Sequence, residues 1–82
     1  MMKVTTPLPA EDLFVLLERA YRRKARSCDA CVFTLPYRVG IGSFDANWSV
    51  IPSASCSDTC RGVLEDVVAH HQATYHLAAG RA

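Results

Sequence analysis

Apolar residues recur at helical spacing through Leu13, Leu16, Leu17, Ala20 and Tyr21, with Phe14 one step aside. This stripe predicts an amphipathic helix over about 9–26. Pro7 and Pro9 suit a first turn, and Glu11 and Asp12 favour the positive end of the helix dipole. The period then changes. Phe33, Leu35, Tyr37 and Val39 alternate with Val32, Thr34, Pro36 and Arg38, the two-residue repeat of a strand with one buried face. Pro36 has no N–H for a ladder, so an edge position or a bulge is expected there. Residues 40–47 are rich in turn formers and residues 48–52 read as a second short strand, which gives an antiparallel hairpin over about 31–52. Ser55 and Asp58 have the spacing of a capping box. Behind them Val63, Leu64, Val67, Val68, His71 and Tyr75 form the apolar face of a second helix over about 56–79, stopped by Gly80. The fold class is therefore α+β, a small α-β-β-α domain.

The four cysteines fall into two close pairs, Cys28-x-x-Cys31 between the first helix and the hairpin, and Cys56-x-x-x-Cys60 at the start of the second helix. A pair two or three residues apart supplies two converging sulfurs at little cost in chain entropy, and two such pairs make a tetrahedral thiolate site of the kind zinc takes. Cys28, Cys31, Cys56 and Cys60 are accordingly the candidate ligands of one Zn²⁺ per chain. The competing readings are inert reduced cysteines and, third, a pair of disulfides, whose bridges would cross between the pairs because close neighbours rarely reach the required separation. The N-terminal stretch has no apolar secretory core and no small-residue cleavage site, which favours a cytoplasmic location, reduced thiols and hence metal. A catalytic dithiol is disfavoured, since Cys28-x-x-Cys31 follows a helix where a reactive motif opens one.

From Cys28 onward, the order of knuckle, hairpin and cysteine-bearing helix resembles a treble-clef zinc domain, over roughly two-thirds of the chain. The likeness is one of fold. It implies a structural module that binds protein or nucleic acid, with Cys28 and Cys31 as knuckle ligands and Cys56 and Cys60 as helix ligands. Departures from the usual pattern are the three residues inside the second pair and the absence of a glycine after Cys31.

Composition narrows the function further. Half of the 82 residues are hydrophobic and 21% are charged, as in a globular domain, while no apolar run is long enough to span a membrane. So short a chain buries a thin core and gains much from a staple. A net charge of +1 argues against strong nonspecific nucleic-acid binding. Yet Arg19, Arg22, Arg23, Lys24 and Arg26, more than half of the nine basic residues, crowd the end of the first helix. There they either complement the dipole and an anionic metal centre or form a patch for phosphates or an acidic partner. Ile41 and Phe44, apolar residues on a turn, either fold back on Trp48 or project to a partner. Gly40-x-Gly42 lacks the third glycine of a nucleotide loop.

Catalysis has little to stand on. His70 lies about 15 Å along the helix from Cys60, and no two of His70, His71 and His76 are three or four residues apart. Glu65 and Asp66 face different ways. The expected function is a small non-enzymatic interaction module, an adaptor or regulator that binds another protein or a second copy of itself, with no small-molecule substrate. Nucleic-acid binding through the basic cluster is the runner-up, and a metal or redox sensor the third reading.

Overall fold

Pro9, extended at φ −64° and ψ 159°, sets the start of α1, Ala10–Lys24, and its carbonyl accepts from the Leu13 N–H at 3.0 Å. The computed structural model describes residues 5–28, 30–39 and 47–78. Leu13, Leu17 and Tyr21, one helical turn apart, are fully buried, and the stripe continues past the helix through Ala25 to Cys28. Acids in the first turn and Arg22, Arg23 and Lys24 in the last both favour this direction of the dipole. Phe33 lies against the same face, with ring centroids 5.3 Å from Phe14 and 5.8 Å from Tyr21.

The second helix, α2, runs Asp58–Thr74 and buries Leu64, Val67 and Val68 against α1. Its cap is Ser57, whose hydroxyl accepts from the Cys60 N–H at 3.2 Å, and not Ser55. Ser55 instead donates to the Ala30 carbonyl at 2.6 Å, buckling the chain before the helix to the turn after α1. Cys56 is consequently outside the helix, while Cys60 sits in its first turn. The helix also ends earlier than its apolar periodicity suggests. Tyr75 turns extended while its N–H still bonds the His71 carbonyl, and Tyr75–Leu77 becomes β4.

That strand pairs in parallel with β1, Thr6–Leu8, in the register Thr6↔Tyr75, Pro7↔His76 and Leu8↔Leu77. Neither strand was expected. The pairing joins the start of α1 to the end of α2, and Ala78 N–H to Leu8 carbonyl at 2.9 Å extends it.

The antiparallel ribbon comprises β2, Tyr37–Arg38, and β3, Trp48–Ser49, with an isolated bridge between Phe33 and Pro52. Two residues separate Ser49 from Pro52, but three separate Phe33 from Tyr37, so the first side carries one extra residue around Pro36. This is a bulge, and it changes the phase of the alternation. Phe33 and Pro36 face inward, whereas Leu35 and Tyr37, expected on the buried face with Phe33, are turned out. The Ile51 N–H, opposite the irregular stretch, bonds the Thr34 hydroxyl at 3.0 Å.

Asn47 links the two sheets. Its side-chain oxygen accepts from the Leu77 N–H at 2.9 Å and its amide donates to the Leu77 carbonyl at 3.1 Å, so one side chain closes the edge of β4 as a neighbouring strand would. Asn47→Ala leaves both groups without these partners in a half-buried place. The expected loss is about 2 kcal/mol, read as a lower urea midpoint with an unchanged slope. Asn47→Asp keeps the acceptor but sets a carboxylate against the Leu77 carbonyl, and is expected to recover little of that loss.

Candidate functional site

The cysteines are brought together as the close pairing suggests, but sulfur bonds to sulfur. Cys28 is bridged to Cys60 and Cys31 to Cys56, with Cα separations of 5.9 and 4.3 Å, and no cysteine is free. The turn that presents the first pair is a chain of short bonds after α1, Cys28 N–H to Ala25 carbonyl at 3.2 Å and Cys31 N–H to Cys28 carbonyl at 3.1 Å. Cys56 is presented by its N–H bond to the Ser53 carbonyl at 3.2 Å, and Cys60 by the Ser57 cap.

This overturns the zinc expectation. A thiolate ligand needs a lone pair and a negative charge that a disulfide sulfur lacks, so Cys28, Cys31, Cys56 and Cys60 cannot hold Zn²⁺ in this state. Among the described residues no cluster of three or more histidine, cysteine and acidic side chains could hold a metal. The treble-clef likeness goes with the metal that defines it. The cytoplasmic expectation falls on the same finding, because structural disulfides belong to oxidising compartments. Among the described residues no helix is long and apolar enough to cross a membrane.

The basic cluster is divided by the fold. Arg22 turns toward the cysteine turn and donates to the Cys28 carbonyl at 3.0 Å and the Cys31 carbonyl at 3.2 Å, while Glu18 lies 3.4 Å away and the guanidinium carbon 5.3 Å from the Tyr21 ring centre. One guanidinium thus holds α1 to Cys28 and Cys31, the N-terminal member of each bridge. Arg19, Arg23, Lys24 and Arg26 are exposed. Beneath them burial pushes the Tyr21 phenol above its ordinary 10.0, against the opposing pull of the Arg22 charge, and its hydroxyl is 3.4 Å from the Cys60 carbonyl.

The His70 and His71 rings meet edge-on with centroids 5.6 Å apart, and His76 is on a different element. His71 has Nδ1 2.9 Å from the Val67 carbonyl and stacks on Tyr75, His70 is exposed, and His76 lies in β4 with Nδ1 2.7 Å from the Thr5 hydroxyl. Ile41 and Phe44 lie outside the described residues.

The feature that alternation alone misplaced is the outer face of the ribbon. Val32, Leu35, Tyr37 and Ile51 are 49%, 48%, 44% and 54% exposed, whereas Phe33, Trp48 and Val50 of the same ribbon are buried. Of these, Leu35 and Tyr37 are there because of the bulge. The only signal for it in the sequence is Pro36 itself.

Fold and bridges together define a small α+β domain of two helices and a two-stranded antiparallel sheet, stapled by two nested disulfides. In comparison with known proteins, the chain matches no protein-family model, no curated protein and no solved structure.

Proposed function

We propose that this chain is a disulfide-stapled, non-enzymatic protein-interaction module whose contact surface is the outer face of the β2–β3 ribbon. The observation that carries this reading is the exposure of Val32, Leu35, Tyr37 and Ile51, four large apolar side chains of the ribbon region that are each at least 44% exposed. Aliphatic residues around an aromatic, on a backbone fixed by a ladder and two bridges, suit a protein partner better than a polyanion. Arg22 is already engaged with two carbonyls of the cysteine turn, which weakens the nucleic-acid alternative.

The test compares the oxidised protein with Leu35→Asp and Ile51→Asp, both at exposed sites that leave the core intact. Immobilised wild type in a non-reducing extract of the producing organism is expected to retain a protein partner at raised salt. Either variant should weaken that retention about tenfold or more. Binding instead of DNA or RNA that falls steeply with salt, is untouched by the two variants and is lost in Arg19→Ala, Arg23→Ala would overturn the proposal.

A further inference from the structure

A second surface lies on the other side of β3 and does not depend on the ribbon's outer face. Thr34 N–H bonds the Ile51 carbonyl and Val39 N–H bonds the Asn47 carbonyl, so residues 47, 49 and 51 present their backbone to the β2 side, and residues 48 and 50 present theirs to the opposite edge. On that edge the Trp48 carbonyl is taken by the Gln72 side chain at 2.7 Å. Val50 has no backbone partner among the described residues, and its carbonyl meets only the Ser49 hydroxyl at 3.5 Å.

Facing this edge is α2. Between the two runs a groove of about 280 Å³, lined by Val50, Pro52, Leu64 and Val68 together with Arg61 and Glu65. Both charged residues are exposed, and no ion pair joins them. The groove is small for a compact organic ligand, and Val50, whose backbone has no backbone partner among the described residues, is one of its lining residues, which suits a strand.

We infer that the groove binds an extended peptide segment of another protein, added as a strand beside Val50, which follows β3 and has no backbone partner among the described residues. Its backbone pairs with the N–H and carbonyl of Val50. An apolar side chain lies over Leu64 and Val68, and flanking side chains of opposite sign meet Arg61 and Glu65. The charge pattern selects an apolar residue set between an acidic and a basic one.

Random heptapeptides displayed on phage and selected on the oxidised protein supply the probe, and the most enriched sequence is then made synthetically. It is expected to show an apolar residue between charges of both signs, to shift the Val50 amide resonance and to slow its hydrogen exchange at least about tenfold. N-methylation of the peptide at alternate amides should abolish binding in one phase and leave it in the other, because only one set of N–H groups faces β3. The charge-reversed variant Arg61→Glu, Glu65→Lys should bind about tenfold more weakly, and Ile51→Asp should bind as wild type does. Failure of any peptide to enrich, or binding that leaves Val50 unperturbed or survives methylation in both phases, would overturn the inference. So would loss in Ile51→Asp with retention in the charge-reversed variant, which moves the peptide to the ribbon's outer face. Val50 protection that grows with protein concentration in the absence of peptide would assign the edge to a second copy and equally overturn it.

Discussion

Reducing both bridges unfolds the protein under conditions where the oxidised chain is folded. The Cys28–Cys60 bridge, spanning 32 residues, encloses Cys31–Cys56, spanning 25. Restricting the unfolded chain gives about 3.5 kcal/mol for either bridge alone. The two are not independent. With one closed, the other completes only a small ring made of residues 28–31 and 56–60, and adds about 2.5 kcal/mol. Together they contribute about 6 kcal/mol, which is comparable with the whole stability of a domain this size. Replacing one bridge by alanines is therefore expected to cost about 2.5 kcal/mol, and replacing both clearly more than twice that. Urea unfolding followed by circular dichroism measures each. Strict additivity would show that the bridges act through separate contacts of the folded state, and a reduced protein that keeps its cooperative transition would refute the dependence altogether.

Trp48→Ala is expected to cost about 3–5 kcal/mol, the range for removing a fully buried large aromatic. Trp48 is the largest completely buried side chain. Its indole N–H donates to the Tyr75 carbonyl at 3.2 Å, and its own carbonyl accepts from Gln72, so it ties β3 to both α2 and β4. Trp48→Phe keeps much of the volume and loses the indole donor, leaving the Tyr75 carbonyl short of a partner, and should cost about 1–3 kcal/mol. Circular dichroism is again the right probe, since Trp48 is the sole tryptophan and fluorescence disappears with it. A loss below about 1 kcal/mol for the alanine variant would show that the site collapses around the hole.

Both helices were legible because a period of 3.6 sustained over four turns outweighs local irregularities. The meeting of the two cysteine pairs was legible for a related reason, since Cys28 and Cys31 can only be drawn toward Cys56 and Cys60 by the hairpin between them. What the sulfurs do on meeting was not. The spacing that suits a metal also suits two crossed bridges, and the residues near Met1 do not report the redox state in which the sulfurs meet. The short pairing of Thr6–Leu8 with Tyr75–Leu77 was hidden because three residues give no alternation, and His71 and Tyr75 extend the apolar stripe of α2 to its last turn. Ser57 lost to Ser55 as the expected cap because Asp58 completes a capping box with Ser55, whereas the residue three beyond Ser57 is Cys60. The ribbon's outward face was concealed by one extra residue near Pro36, which exchanges inside for outside for all that follows on that side.

The parallel pairing of Thr6 with Tyr75 has a consequence for how the molecule comes into being. As the chain leaves the ribosome, β1 emerges well before β4, the strand it pairs with, because both helices and the ribbon are made between them. Until then the parallel ladder that joins the start of α1 to the end of α2 cannot form. Chain synthesis, and not the search for contacts, thus sets the earliest moment at which this domain is closed.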